Sequence, residues 1–512
     1  MSTAIPTWRL AAESFVPERG RQKVGWLIKH APLLLLLTVQ AVFTLRLDNS
    51  AFQDEALYIF TGHWLIDSWR SDQEVFSHPE SFFSGAPYLY PVVAALLDSL
   101  GGLGLVRLFS CLCMLSSTVA VYWTTNVLFG HRPGVRPGIF AAAVFVLNAP
   151  VIFLGNFATF DAPAFTLIAW AMALTVWTAR EEKSIRWAIL AGGLLALAVL
   201  IKYSSAIDAP FVLLLGLLAA LPTTQSRARA FWRAFTAGAT ALLLLAASML
   251  TWAAPLVAGL SRTTTQRVDV DRVPTQALLW DVAVWSGPTF VLIVLGGAYL
   301  ALSRPALALV MTSGALAAVL YQSYMGEAVS LHKHIVLGIL IGAPLAGLFL
   351  SRVISVKAGG IIAVALVWIA YICSMYQSEK LFDVWPNSDD LAREVKYSVD
   401  AMPWIRILGE IPEPVQYKLL DETEPWQFVA TYEGSFRYIP SAGGPELTDR
   451  AAYEAALADN YFQLVFLDGA TPIGRDLAPQ MDEFGFRKTS VVNTPYTGHQ
   501  WTIWQRHDDI PE

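Results

Sequence analysis

The sequence is poor in charged residues. Of its 512 residues only 15% are charged and 55% are hydrophobic, whereas a soluble globular protein carries roughly 25% charged residues. This deficit argues against an ordinary soluble protein and indicates a polytopic membrane protein. The formal net charge of -6 is modest for so long a chain, so the composition does not indicate a nucleic-acid partner.

Cysteine is scarce as well. The three cysteines, Cys111, Cys113 and Cys373, all fall within apolar runs, which indicates neither a disulfide framework nor a zinc site. No small-residue cleavage site follows the first apolar run, so that run is interpreted as a retained span and not as a removed signal peptide. No internal repeat or low-complexity segment is visible.

Long apolar runs, by contrast, are abundant. A helix needs about 20 apolar residues to cross a hydrocarbon core about 30 Å thick, and helices satisfy their own backbone groups in lipid. The runs predict about eleven transmembrane helices, near residues 31–47, 105–129, 137–155, 161–179, 187–202, 205–221, 234–258, 278–302, 305–322, 334–351 and 358–377.

The loops between these runs predict the orientation. Basic residues in the N-terminal tail, in loops such as 131–136 and 179–186, and at Arg352 and Lys357 fall on one side, which the positive-inside rule assigns to the cytoplasm. Because the number of spans is odd, the C-terminal part is expected on the outer side. The segment 87–100 is short and is predicted to be a re-entrant or interfacial helix.

The predicted fold class is an all-α polytopic membrane domain followed by an extracytoplasmic α/β domain. The chain is predicted to consist of a cytoplasmic tail at residues 1–30, a membrane domain at 31–377 and an outer domain at 378–512. The membrane domain has a long first outer loop at 48–104. The outer domain alternates strand-like WIRILGE, FQLVFLD and WTIWQR with helical stretches near 412–420, 448–458 and 477–485.

Polar residues gather at the predicted outer ends of four apolar runs. Ionisable residues at spans are costly and by default mark functional sites. Each set also has a structural interpretation: an aspartate before Pro163 suits a helix cap, a lysine can extend to the interface, and a His-Lys-His segment can anchor a span end. The sets are Asp54 with Glu55, Asp161, Lys202 with Tyr203, and His332 with Lys333 and His334.

Carboxylates and cations at one membrane face suit group transfer to a hydroxyl or amine. A carboxylate can take the proton of an attacking hydroxyl, while lysine, arginine or histidine can stabilise a departing anion. A sugar carried on a lipid phosphate meets both requirements, because its head lies at this depth and it leaves as a phosphate.

The strings QDEALY, GNFATFDAPAFTLIAWA and LAVLIKYSSA, in this order and at these intervals, resemble the glycosyltransferase-C superfamily of integral-membrane enzymes. The similarity covers roughly residues 20–350 and is greatest to the branch with the lipid A aminoarabinose transferase and the protein O-mannosyltransferases. It implies an inverting hexosyl- or pentosyltransferase of the bacterial cytoplasmic membrane. The implied donor is a polyprenyl-monophosphate sugar, and a lipid, polysaccharide or protein is the acceptor.

The resemblance also implies roles for individual residues. Asp54 matches the catalytic base, Asp161 matches an aspartate that shapes the acceptor pocket, and Lys202 matches a lysine near the donor phosphate. The segment with His332, Lys333 and His334 matches a basic segment suited to phosphate contact. The remaining expected pocket residues are Glu55, Tyr58, Tyr88 and Tyr203.

One departure from the family pattern lies in the first outer loop. The aminoarabinose branch has a Glu-Lys-Pro there, where this chain has Gly85 and Ala86 before a proline. The lipid A acceptor is therefore less supported, and His332, Lys333, Arg262 or Arg267 is expected to supply the missing positive charge.

No cofactor is firmly predicted. Asp269 and Asp271 form a D-x-D, interpreted as a solvated loop of alternating charge. A divalent metal held by Asp54, Asp161 and Glu327 stays an alternative, since oxygen ligands suit such ions.

Two functions of another class compete with glycosyl transfer. A secondary transporter or lipid flippase would also place charges within the membrane, yet transporters usually show repeated halves and midplane sites. A receptor with a membrane anchor would need one span and not eleven.

Overall fold

The structure is a computed structural model, and it describes residues 18–71, 83–130, 137–180, 184–220, 227–264, 272–354, 359–432, 434–494 and 500–506. Its apolar part is helical, as backbone in lipid requires. The helices are α1 Glu18–Thr44, α2 Gln53–Ser71, α3 Tyr90–Phe129, α4 Pro137–Val146, α5 Ala149–Leu154, α6 Asp161–Arg180, α7 Arg186–Ile201, α8 Ala209–Ala220, α9 Arg227–Thr251, α10 Ala253–Thr264, α11 Thr275–Ala301, α12 Pro305–Met325, α13 Leu331–Val353 and α14 Gly359–Phe382.

Within these described ranges, eight helices are long and apolar enough to cross a membrane. They are α3, α6, α8 with the 3₁₀ turn before it, α9, α11, α12, α13 and α14. Three shorter apolar helices lie at His30–Thr44, Pro137–Val146 and Arg186–Ile201. Each predicted span overlaps a helix, although the span predicted at 137–155 is interrupted at Leu147 and Asn148 between α4 and α5. The count of eleven spans stays a prediction.

Helix α13 is the centre of the apolar part. Almost all of its side chains from Ile335 onward are buried between α4, α11 and α12. Gly338 allows this packing, because a Cβ atom there would lie 2.1 Å from the Ala315 carbonyl oxygen of α12. Small residues let apolar helices approach closely. The central helix therefore fixes Lys333, in its first turn, at a set place near the start of α2.

Helix α3 is broken near its beginning. Gly101 and Gly102 have non-helical backbone angles, which divide α3 into a short segment over 90–100 and a long one over 103–129. The short segment exposes Val93, Leu96 and Leu100. A separate short helix was predicted here, and its interfacial or re-entrant placement stays a prediction.

The C-terminal part is an α/β unit. Strands β1 Ile407–Gly409, β2 Phe428–Ala430, β5 Leu464–Leu467, β6 Phe486–Asn493 and β7 Gln500–Arg506 form one sheet in the order β2-β1-β5-β7-β6. The pairs β1–β2 and β1–β5 are parallel, and the pairs β5–β7 and β6–β7 are antiparallel. A separate pair is formed by β3 Arg437–Tyr438 and β4 Leu447–Thr448.

Helices cover this sheet. They are α15 Asp389–Ala401, α16 Glu413–Lys418, α17 Asp449–Ala458 and α18 Pro472–Leu477. The helices predicted near 412–420 and 448–458 correspond to α16 and α17. The helix predicted near 477–485 is wrong: α18 ends at Leu477 and a 3₁₀ turn follows at Ala478–Gln480. Pro479 lacks the N–H that a continued helix needs.

Candidate active site

The site is built at the N-terminus of α2. Helix α2 begins at Gln53 and has Asp54 and Glu55 in its first turn, where negative charge interacts favourably with the helix dipole. Successive residues on a helix point about 100° apart. The two neighbouring carboxylates therefore face different surroundings.

Asp54 faces the start of α13. Its Oδ2 atom accepts a hydrogen bond from Lys333 Nζ at 2.6 Å. The Asp54 side chain is 38% exposed, whereas that of Lys333 is 7% exposed. The carboxylate is thus held from one side and open to solvent from another.

Asp161 lies behind this pair, at the start of α6. It is fully buried and contacts both lysines, with Lys202 Nζ 2.6 Å from Oδ1 and Lys333 Nζ 3.7 Å from Oδ2. Thr159 donates its hydroxyl to Oδ2 at 2.8 Å. Asp161 is therefore the shared anion of two cations. This cluster of Asp54, Lys333, Asp161 and Lys202 is called the four-charge cluster below.

The two lysines are also held by aromatic rings. Lys202 Nζ lies 4.8 Å from the centroid of the Phe160 ring, and Lys333 Nζ lies 5.0 Å from that of Phe157. Cations are attracted to the faces of such rings. Both lysines are buried, so Lys202 extends inward to Asp161 and not to an interface. The structure thus brings together one residue from each of the four polar sets.

Glu55 does not share this cluster. It is fully buried, and Arg107 of α3 donates to it from Nε at 3.0 Å and from Nη2 at 2.7 Å. The backbone N–H groups of Phe52 and Ala158 donate to the same carboxylate at 2.9 and 2.7 Å. Glu55 therefore ties the start of α2 to α3 and to the loop before α6.

The histidines beside Lys333 point elsewhere, as helical spacing requires. His334 shares a hydrogen bond of 3.0 Å between Nδ1 and Gln322 Oε1. The His332 ring lies edge-on to Phe153, with centroids 5.4 Å apart. Of the three adjacent residues, Lys333 is the one that the structure places against Asp54.

The expected pocket tyrosines lie near the cluster. Tyr58 is buried and its ring lies 4.8 Å from those of Phe83 and Phe160. Burial, followed by the charges of Asp54 and Asp161, raises the pKa of Tyr58 well above its usual value, so its phenol keeps its proton. Tyr203 and Tyr88 are half-buried, on the two chain segments that meet beside Lys202.

The Gly85–Ala86 departure from the family pattern has a structural reason. The backbone of this segment pairs with the end of α7: Ala86 donates to Leu200 at 2.7 Å and Tyr203 donates to Ser84 at 2.8 Å. A Cβ atom at Gly85 would lie 1.9 Å from the Ile201 carbonyl oxygen. A side chain therefore does not fit where a charged residue would be expected.

Sequence reasoning missed several residues around the site. Arg107 has a signal that could have found it, since a charge within an apolar run is costly without a partner. The other contacts come from the C-terminal α/β unit. Gln53 Nε2 donates to Tyr432 at 2.5 Å, and Tyr432 donates to the Glu413 carboxylate at 2.8 Å. No local pattern indicates contacts between residues so far apart in the chain.

Glu413 is the unusual member of this group. It lies in α16, is 7% exposed, and burial raises its pKa to about 7. Its contact with Gln53 brings the C-terminal α/β unit against the residue next to Asp54.

A metal site and the basic residues of the 261–272 loop were also predicted from the sequence. Among the described residues, no group of three or more histidine, cysteine, aspartate or glutamate side chains could hold a metal ion, so Asp54, Asp161 and Glu327 do not form one. Arg267, Asp269 and Asp271 lie outside the described residues, and the side chain of Arg262 is not described either.

Comparison with known proteins adds a family match over part of the chain. The model of a family described as dolichyl-phosphate-mannose-protein mannosyltransferase matches residues 84–252. No curated protein matches the chain by sequence.

Solved structures with the same fold cover most of the chain. The apo crystal structure of ArnT from Cupriavidus metallidurans is 15% identical, with a TM-score of 0.55 over 96% of this chain and 100% of that chain. The same protein bound to undecaprenyl phosphate has 15% identity, a TM-score of 0.54 and coverage of 95% and 99%. The apo oligosaccharyltransferase of Archaeoglobus fulgidus is 12% identical, with a TM-score of 0.56 over 85% of this chain and 69% of that chain.

These likenesses show that the chain shares its fold with ArnT and with the oligosaccharyltransferase, so the predicted resemblance is borne out in fold. The fold alone does not determine the chemistry, because one fold can host several functions.

Proposed function

We propose that this chain, which has the glycosyltransferase-C fold, is an inverting glycosyltransferase that takes a sugar from a polyprenyl-monophosphate carrier. The acceptor would be a hydroxyl or amine of a lipid, polysaccharide or protein at the outer face of the membrane that the helices span. The observation that carries the proposal is the four-charge cluster, in which Asp54 is the member open to solvent. The undecaprenyl phosphate bound to ArnT supports the choice of carrier.

Asp54 would act as the general base. An acceptor hydroxyl entering from solvent can hydrogen-bond to the open side of this carboxylate. As its oxygen forms a bond to C1 of the sugar, the hydroxyl proton passes to Asp54 and the bond from C1 to the phosphate oxygen breaks. Attack from the face opposite the phosphate inverts the configuration at C1.

Lys333 would couple donor binding to base activation. In the cluster two lysines are balanced by two aspartates, so an arriving phosphate adds an anion that competes with Asp54 for Lys333. Drawing Lys333 toward the phosphate would release Asp54 to accept a proton. The negative charge on the phosphate grows as the sugar leaves, and a buried cation stabilises that charge strongly.

The other basic residues are proposed donor contacts of lesser support. Lys202 would keep Asp161 ionised and in place, while Asp161 would shape the acceptor pocket with Tyr58, Tyr88 and Tyr203. His332, His334, Arg262 and Arg267 stay candidates for the phosphate. The choice of hexose or pentose and the placement of all eleven spans in a bacterial cytoplasmic membrane are likewise proposals.

The test is a transfer assay with purified protein in nanodiscs, radiolabelled polyprenyl-phosphate sugars and cell-envelope extract. Asp54→Asn should lower the transfer rate by about two to four orders of magnitude, as removal of a general base does. Asp48→Asn is the matched control, because Asp48 is exposed and lies in the loop just before α2.

Equal rates for Asp54→Asn and the wild type would contradict the base assignment. Uptake of substrate into proteoliposomes without sugar transfer would instead favour the transporter or flippase.

A further inference from the structure

A second candidate site lies away from the four-charge cluster, where α2 meets the outer domain. A cavity of about 500 Å³ opens there, within the size range of pockets that hold small ligands. Its lining includes His63, Trp64 and Asp67 from α2 and Trp404, Asp421 and Trp426 from the outer domain.

Three tryptophans face this cavity. Trp404 is 80% exposed, which is unusual for the largest apolar side chain. Trp64 is backed by the Phe60 ring, with centroids 4.5 Å apart, and Trp426 is backed by the Arg406 guanidinium, 5.6 Å from its ring centroid. These contacts hold two of the three indole rings in place beside the cavity. The C–H faces of sugar rings are the chemistry that stacks on them.

The polar part of the lining is acidic. Asp67, Asp421 and Glu424 are exposed on it, while Glu422 is paired with Lys396 at 2.6 Å. All lining residues are described, and none of them is a lysine or arginine. Carboxylates accept hydrogen bonds from hydroxyl and ammonium groups and repel anions. The lining therefore suits a neutral or amino-bearing ligand rich in hydroxyls.

The two walls of the cavity are fixed to each other. Asp98 of α3 shares a hydrogen bond of 2.9 Å with His63 and accepts one of 2.6 Å from the Tyr417 hydroxyl of the outer domain. This bridge holds α2 and α16 in register beside the cavity. A ligand would thus meet a preformed site, which lowers the ordering cost of binding.

We propose that this cavity binds a glycan that carries no net negative charge, and that this glycan is the acceptor. The second part rests on the proposed function. The helix rise of about 1.5 Å per residue places Trp64 about 15 Å along α2 from Asp54. A chain of several sugar units can span that distance, with one unit stacked in the cavity and its end at the base.

The test measures glycan binding to the full-length protein in nanodiscs by calorimetry. The probes are chitotetraose, its fully deacetylated cationic form, and tetragalacturonate as the anion. The cationic tetramer should bind most tightly, chitotetraose less tightly, and tetragalacturonate not at all. Trp404→Ala should weaken binding of both non-anionic tetramers about tenfold or more, the scale on which truncated aromatic anchors act.

Two further variants sharpen the result. Asp421→Asn should weaken the cationic tetramer and leave chitotetraose unchanged. Trp69→Ala is the matched control. Trp69 is 59% exposed on α2, the helix that carries Trp64, but it does not line the cavity. Its binding should therefore match the wild type. The proposal is overturned if neither non-anionic tetramer binds, if Trp404→Ala binds as the wild type does, or if tetragalacturonate binds best.

Failure of this inference is separable from failure of the proposed function. Turnover of polyprenyl-phosphate sugar without glycan binding would overturn the inference alone. Glycan binding that depends on Trp404, in a protein that turns over no donor, would overturn the proposed function and leave the glycan site in place.

Discussion

Asp54 and Glu55 are neighbours in sequence but belong to two different kinds of ion pair. Glu55 and Arg107 have side chains 0% and 6% exposed, and further backbone donors fill the carboxylate. Asp54 pairs with Lys333 yet keeps 38% of its side chain exposed. A saturated buried pair can only hold structure. An ion pair with one open carboxylate can exchange partners, which is what a base must do.

This difference between the two ion pairs predicts that Arg107→Ala loses more stability than any variant of the Asp54–Lys333 pair. Removing one partner of a buried pair leaves an uncompensated charge and costs about 3 to 5 kcal/mol. Equilibrium unfolding by SDS in mixed micelles should show this loss. Asp54→Asn should lose less in the same titration, about 1 to 3 kcal/mol, because Lys333 keeps Asp161 as a counter-ion at 3.7 Å. Equal losses for the two variants would mean that the pairs do not differ in role.

A smaller loss is expected for Lys333→Met. Asp161 keeps Lys202, and Asp54 can be hydrated, so the unmade charged hydrogen bond should cost about 1 to 3 kcal/mol. Sugar transfer should fall far more than stability does. Lys418→Met is the control, since its pair with Asp389 is exposed on both sides. A stability loss as large as that of Arg107→Ala would contradict an open Asp54 site.

The sequence could indicate which residues meet, but not how neighbours divide their roles. Asp54, Asp161, Lys202 and Lys333 were predictable, because charges at the ends of apolar runs need partners. The separation of Asp54 from Glu55 was not, since it depends on the rotation of α2 about its axis. Lys333 could not be distinguished from His332 and His334 either, since that depends on the rotation of α13 about its axis.

The C-terminal part was predictable as an α/β unit, whereas its contact with the site was not. Glu413 reaches Tyr432 and Gln53 only after strands and helices far apart in sequence have assembled. The wrong prediction of a helix near 477–485 is different, since Pro479 was a local signal against it.

Glu413 provides a pH test of the contact between the C-terminal α/β unit and the start of α2. Burial raises its pKa from 4.5 to about 7, so the folded protein favours the protonated acid. The resulting stabilisation is full below the unfolded value and is lost as pH rises through about 7. Gln53, Tyr432 and the charge of Asp54 face this carboxyl group.

The melting temperature of the wild type should therefore fall as pH rises from about 5 to about 8, by a few degrees at the scale of one altered group. Glu413→Gln imitates the protonated acid and should flatten this dependence. Glu446→Gln, an exposed carboxylate of the same domain, should leave the dependence unchanged. An unaltered slope for Glu413→Gln would show that its contacts do not control docking of the domain.

The smallest effect is expected for a third ion pair of the same region. Arg46 Nη1 contacts Glu379 Oε2 at 3.0 Å, with side chains 28% and 62% exposed. Exposed pairs contribute about 0 to 1 kcal/mol, because water solvates both charges and salt screens them. Glu379→Gln should thus change SDS unfolding by less than about 1 kcal/mol and leave transfer unchanged. A loss approaching that of Arg107→Ala would show that exposure does not rank these pairs.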